Sequence, residues 1–216
     1  LEHTRNVVYL DDGDLAVISA DGYRVIDRQA RAQQRPVNAL DWAPQDHALG
    51  SHPHYMHKEI FEQPETVHAT MRGRLLFEDG TARLNGLNLT PEQVAEISRI
   101  VIVACGTSWH AALVGRHVIE ELTGIPVVVE YASEYRYRRV AQVPGTLCLA
   151  VSQSGETADT LEAIRAARRA GCLVRGIVNV VGSTIARETD GGIYCHAGPE
   201  VGVASTKAFT SQVVAL

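Results

Sequence analysis

The chain reads as an α/β protein: a doubly wound parallel sheet of flavodoxin-like order, preceded by a partial β meander and a helical linker. Three observations predict this. From residue 100 onward, short apolar runs alternate with helical runs five times. Those apolar runs are continuous, as expected of strands covered on both faces. The loops that leave them are small, polar and rich in hydroxyls, and each opens a helix.

The elements follow in order. Val7–Leu10, Leu15–Ile18 and Tyr23–Ile26 are β-rich runs separated by Asp-Gly turns, which predicts a meander. Three such strands are marginal alone and suit the edge of something larger. Residues 28–53 lose periodicity and gain Gln, Arg, Asn, Asp and Pro, which reads as a linker. Tyr55–Glu62 is helical, and a second helix follows with Pro64 in its first turn. Residues 74–90 read as a polar connection. Thr90-Pro91-Glu92-Gln93 has the pattern of a capping box. The βα units are then Ile100–Ala104 with Trp109–Leu122, Val127–Glu130 with Ala132–Tyr137, and Thr146–Val151 with Ala158–Ala170. Val174–Val178 with Thr184–Glu188, and Gly192–Cys195 with a helix from about Thr206, complete the series.

Composition excludes several classes. The 216 residues carry 20 Lys and Arg against 25 Asp and Glu, a net charge of −5, and no long basic run. Nucleic acid is not expected as a partner. No apolar stretch approaches the roughly 20 residues of a membrane span. Leu1-Glu2-His3-Thr4 does not resemble a signal peptide. The chain opens without Met and stops in an apolar helical run, so both ends are expected to be cut. Cys105, Cys148, Cys172 and Cys195 form no CxxC pair and are expected to be buried thiols in a reducing compartment.

Candidate chemistry gathers at loops. In an open α/β sheet, ligands bind beyond the carboxyl ends of strands, where strand order reverses. In flavodoxin-like order that point lies between the first and third strands. The loops there are Cys105-Gly106-Thr107-Ser108 and Ser152-Gln153-Ser154-Gly155-Glu156-Thr157. Hydroxyls, bare glycine backbone and helix N-termini together suit a phosphate. Each hydroxyl could equally serve only as a helix cap. Neither GxxxxGK[ST] nor GxGxxG occurs after a strand, and neither loop holds Lys or Arg, so a singly phosphorylated small molecule fits better than a nucleotide. A third loop, Gly198–Lys207, could bring Ser205 to the same crevice, and Lys207 reads as a solvent-exposed charge. His52, His54 and His57 lack the spacing and companions of a metal site. His110 and His117 read as packed or partly exposed histidines. Glu59, Glu62 and Glu65 read as helix-surface carboxylates.

The two hydroxyl loops resemble the signature loops of sugar isomerase (SIS) domains. The segments His54–Pro64, Glu130–Arg138 and Gly198–Lys207 narrow the resemblance to the glutamine–fructose-6-phosphate aminotransferase (isomerizing), or glucosamine-6-phosphate synthase, family. The resemblance implies that residues 1–27 are the last strands of a glutaminase domain. It makes residues 28–90 an interdomain linker with helices, and residues 91–216 the first SIS domain, cut in its last helix. It implies transfer of glutamine-derived ammonia to fructose 6-phosphate, giving glucosamine 6-phosphate, without a metal or organic cofactor. It implies that Ser108, Ser152, Gln153, Ser154 and Thr157 hold the phosphate, while Thr107, Val203 and Ser205 line the sugar. Catalytic residues are expected outside these 216 residues, since Glu200, Lys207 and His110 offer no convincing acid or base. Glutamine is expected to act through an upstream domain. A cytoplasmic homodimer is the family expectation. The alternatives are a stand-alone SIS module that senses a sugar phosphate without catalysis, and a different sugar-phosphate isomerase.

Overall fold

The computed structural model describes residues 4, 6–39, 48–139 and 141–216. They fall into two compact units, Leu1–Ala48 and Leu49–Leu216.

The first unit is all β: β1 (Asn6–Val8), β2 (Leu15–Ser19), β3 (Gly22–Ile26), β4 (Ala32–Gln33) and β5 (Val37–Ala39). The antiparallel meander is β2-β3-β4, and β1 pairs instead with β5. Two strands therefore lie in residues expected as linker. Runs of two or three residues are too short to show a period of two. What holds them is local: the Asp27 carboxylate accepts from the backbone N–H of Gln29 and of Arg31, both at 2.9 Å. Arg35 forks onto Asp14 at 2.8 and 3.0 Å. Val25 is the one buried residue among those described in this unit, and Leu15, Ile18, Tyr23 and Val37 are exposed. Residues 1–3 of the opening segment and 40–47 of the expected linker lie outside the described residues.

The second unit opens with α1 (Tyr55–Phe61) and α2 (Gln63–Met71), with Pro64 in the first turn of α2. His54 caps α1, its ring nitrogen accepting from the His57 N–H at 3.1 Å. The expected polar connection contains a small hairpin, β6 (Leu75–Leu76) with β7 (Thr81–Ala82), and a 3₁₀ turn at Asn85–Leu87. The capping box forms as read: Thr90 and Gln93 exchange side chain-to-backbone bonds of 3.0 and 3.2 Å at the head of α3 (Pro91–Glu96).

The βα series then runs β8 (Arg99–Ala104), α4 (Gly106–Thr123), β9 (Val127–Tyr131), α5 (Ala132–Tyr135) and β10 (Thr146–Ser152). It continues with α6 (Ala158–Arg169), β11 (Leu173–Val178), α7 (Thr184–Glu188), β12 (Gly192–Tyr194) and α8 (Lys207–Ala215). All five strands are parallel, in the order β12-β11-β10-β8-β9. This is the flavodoxin-like order, with its reversal between β8 and β10. The continuous apolar runs are explained by two cores, one on each face. Val101, Val103, Cys148 and Ala150 pack with Tyr135 of α5, Ala163 and Ile164 of α6, and Ile185 of α7. Ile100, Ile102, Leu149 and Val151 pack with Ala112 of α4 and Ala215 of α8.

Candidate functional site

Ala104, the last residue of β8, is the register partner of Val151, one residue before the end of β10. The loops that follow therefore start as neighbours, which makes the convergence inferred from strand order a fact of the backbone. Between them lies a cleft of about 380 Å³. All eight residues singled out from the sequence line it: Ser152, Gln153, Ser154 and Thr157 from the second loop, Val203 and Ser205 from the third, and Thr107 and Ser108, which were expected in a loop but form the first turn of α4.

The donors at the two helix ends are uncapped. Neither Cys105 at the head of α4 nor Thr157 at the head of α6 makes a side-chain cap bond. The first N–H groups of both helices thus keep their hydrogen-bonding capacity and their positive end-charge. The capping alternative left open by the sequence is not realised at these two helices. Inside the second loop, Ser152 Oγ accepts from Gly155 N–H at 3.0 Å and Ser154 Oγ from Glu156 N–H at 3.2 Å. An oxygen that accepts can still donate its own proton. The Ser205 hydroxyl is buried with no hydrogen-bond partner among the described residues.

The second loop is braced from α7, which sequence reasoning missed. Gly155 has φ +68°, and a Cβ on it would lie 2.0 Å from Ser183 Oγ. The Gly155 carbonyl accepts from Ile185 N–H at 2.9 Å, and the Glu156 carboxylate accepts from Thr184 N–H at 2.8 Å.

The third loop is held from α1 and corrects two expectations. Glu59 is not a surface carboxylate: it is 2% exposed, and its Oε1 accepts from Val201 and Gly202 N–H at 2.6 and 3.0 Å. Lys207 is not a solvent-exposed charge: it is 4% exposed, with Nζ 2.7 Å from Glu62. Glu65 is exposed, as are His110 and His117. A sequence signal for the pair existed. Tyr55, Glu59, Glu62 and Thr66 share one helical stripe, at spacings of four, three and four, and Thr66 is buried too. Burial would raise the Glu62 carboxyl, but the hydrogen bond and charge of Lys207, then those of Lys58, outweigh it and hold it below the ordinary carboxylate value. Glu200 lines the cleft, yet its carboxylate caps α8, accepting from Thr206 and Ala208 N–H at 2.8 and 3.2 Å. Both charged groups of this loop are therefore committed to its own architecture.

The remaining titratable groups are elsewhere. His52 and His57 face each other through Nδ1 atoms at 3.0 Å. Among the described residues no group of three or more His, Cys, Asp or Glu is placed to hold a metal ion. All four cysteines are free thiols; Cys148 and Cys195 are buried, while Cys105 and Cys172 are half-buried. Burial pushes the Cys195 thiol up to about 12 and raises that of Cys148 as well, so neither is a ready nucleophile. No helix among the described residues is long and apolar enough to cross a membrane.

A doubly wound sheet with hydroxyl loops on two uncapped helix N-termini at its switch point defines a SIS-type domain. The SIS domain profile matches residues 93–216, and the chain belongs to that family. Curated relatives are similar along its entire length. A glutamine–fructose-6-phosphate aminotransferase (isomerizing) of Chlorobaculum tepidum is 52% identical over 216 residues, which is 100% of this chain and 35% of the relative. Glutamine–fructose-6-phosphate aminotransferase (isomerizing) 2 of Homo sapiens is 46% identical over 220 residues, covering 100% of this chain and 32% of the relative. Among solved structures, the C-terminal domain of glucosamine-fructose-6-phosphate aminotransferase from Francisella tularensis superposes with a TM-score of 0.72 at 44% identity. That match covers 78% of this chain and 46% of the other. The chain thus spans about a third of the length of the curated relatives it matches.

Proposed function

We propose that this chain is the sugar-phosphate grip of a glutamine–fructose-6-phosphate aminotransferase, binding fructose 6-phosphate and glucosamine 6-phosphate in the cleft between the α4 and α6 N-termini. The observation that carries this is the convergence of Ser108, Ser152, Gln153, Ser154 and Thr157 on two helix ends with free N–H groups. A phosphate there replaces the missing caps and needs no Lys or Arg, because oriented backbone dipoles stabilise it. Thr107, Val203 and Ser205 face the sugar, with the unpartnered Ser205 hydroxyl supplying one specific hydrogen bond.

In this reading residues 1–27 close a glutaminase domain, and their exposed apolar strands suit an edge that such a domain would cover. Residues 28–90 link it to a first SIS domain at 91–216. Ammonia released from glutamine attacks C2 of open-chain fructose 6-phosphate, water leaves to give the C2 imine, and a proton moves from C1 to C2, giving glucosamine 6-phosphate. Glu200 and Lys207 are spent on the third loop, so the proton-transfer groups come from parts of the enzyme beyond this chain. The parent enzyme works as a cytoplasmic homodimer without metal or organic cofactor. The same commitment of Glu200 and Lys207 is what favours the second reading, a SIS module that binds a sugar phosphate without catalysis.

Titration of the chain with fructose 6-phosphate by calorimetry tests the site. Ser154→Ala and Thr157→Ala are each expected to weaken binding about tenfold, the loss of one hydrogen bond to a charged group. Unchanged affinity in both variants removes the site assignment. The purified chain is expected to form no glucosamine 6-phosphate from glutamine and fructose 6-phosphate; detectable product would falsify the placement of the acid–base groups elsewhere.

A further inference from the structure

A second cavity, of about 260 Å³, lies at the other end of the sheet from the cleft. Arg99 and Thr146 are the first residues of β8 and β10 and are register partners, and Cys172 precedes β11. All three line the cavity at the amino ends of the strands, with Tyr135 of α5 and the following Arg138 and Arg139. Three guanidinium groups therefore border one small space. Arg138 is the only one of them with an ion-pair partner among the described residues: its Nη2 lies 2.6 Å from Glu130, and its guanidinium sits over the Tyr135 ring at 5.1 Å. Arg99 and Arg139 have no carboxylate partner among the described residues.

Tyr135 supplies an independent observation. It is 1% exposed, and its hydroxyl has no hydrogen-bond partner among the described residues. Buried phenols normally have one. Burial raises its pKa, so the hydroxyl keeps its proton and remains a donor. A ligand matched to this lining accepts hydrogen bonds, carries negative charge and is compact. Arginine forks match phosphate and carboxylate oxygens in pairs.

We propose that this cavity binds a small, multiply charged oxyanion, held inside by Arg99 and the Tyr135 hydroxyl and at the rim by Arg138 and Arg139. The volume suits a group between phosphate and citrate in size. The site is separate from the cleft and stands whether or not the cleft takes a sugar phosphate.

Calorimetric titration of the chain with inorganic phosphate, pyrophosphate and citrate, at constant ionic strength, tests it. At least one of these is expected to bind at a single saturable site that survives combined Ser154→Ala and Thr157→Ala substitution. Arg99→Gln is expected to weaken that binding about tenfold, and Tyr135→Phe or Arg139→Gln by a few-fold. Preference for the phosphorus oxyanions identifies a phosphoryl ligand; preference for citrate identifies a carboxylate. Arg139 is exposed, so its variant reports even where Arg99→Gln fails to fold. The proposal is overturned by the absence of saturable binding, by weak binding that only ionic strength alters (an adventitious ion only), or by binding that Tyr135→Phe and Arg139→Gln leave intact.

Discussion

Glu62 and Lys207 show how one ion pair can set the shape of a binding loop. Lys207 is nearly enclosed, so removing its counter-charge leaves an ammonium without compensation. Glu62→Gln is expected to cost about 2–3 kcal/mol in a urea unfolding experiment, since Lys207 is enclosed while Glu62 is partly exposed. The pH dependence follows from the lowered Glu62 pKa. Its stabilisation is fully present above the unfolded carboxyl value of 4.5 and is lost as pH falls through the lower folded value. Unfolding midpoints of the wild type should fall relative to Glu62→Gln as pH drops below about 4.5. A constant difference between the two down to pH 2 would remove Glu62 from the pair. Gly155 is the second residue on which the site depends. Its positive φ, and the Ser183 side chain that occupies the place a Cβ would take, leave no room for a methyl group. Gly155→Ala is expected to cost about 2 kcal/mol and to abolish sugar-phosphate binding, read by thermal unfolding and calorimetry.

Among the elements, capping and bracing were unequally legible. Thr90 to Gln93 announced its capping box because four consecutive residue types at fixed offsets suffice. Thr90→Ala should lower stability by about 1 kcal/mol, measured as a shift in the denaturant midpoint at unchanged slope. Arg175 could not be read in the same way. It stands in the middle of β11, an apolar run by composition, yet it is 3% exposed. Its guanidinium binds the Leu87 and Asn88 carbonyls, the latter at 2.9 Å, and lies 3.5 Å from Asp190. It therefore ties the segment after the 3₁₀ turn to the sheet, a connection spanning 87 residues that no local pattern encodes. Arg175→Met should spare the strand and release the Asn85–Asn88 segment, visible as faster amide exchange there. β4 and β5 were missed for the opposite reason, since strands this short carry no period at all.

Across the whole molecule, stability is expected to centre on β10, whose seven residues are all buried and which pairs on both sides. Hydrogen exchange should be slowest at Thr146–Ser152 and much faster in β1–β5, where Val25 is the one buried residue described. Equal protection in the two units would contradict this picture. The alternation of apolar and helical runs by itself determined the α/β class, the succession of βα units and the two hydroxyl-rich segments, because side-chain period and turn chemistry are local properties; it placed the start of α4 three residues late, at Trp109 instead of Gly106. Strand order decides where those loops meet, and the sequence supplied it only through analogy with flavodoxin-like sheets. The tertiary structure alone decided that β8 and β10 are neighbours, that buried Lys207 pairs with the partly exposed Glu62 while buried Glu59 holds the Val201 and Gly202 N–H groups, and that Arg175 reaches back to Leu87. Each of these joins residues far apart in the chain, and burial of a charge depends on what packs over it rather than on its neighbours in sequence.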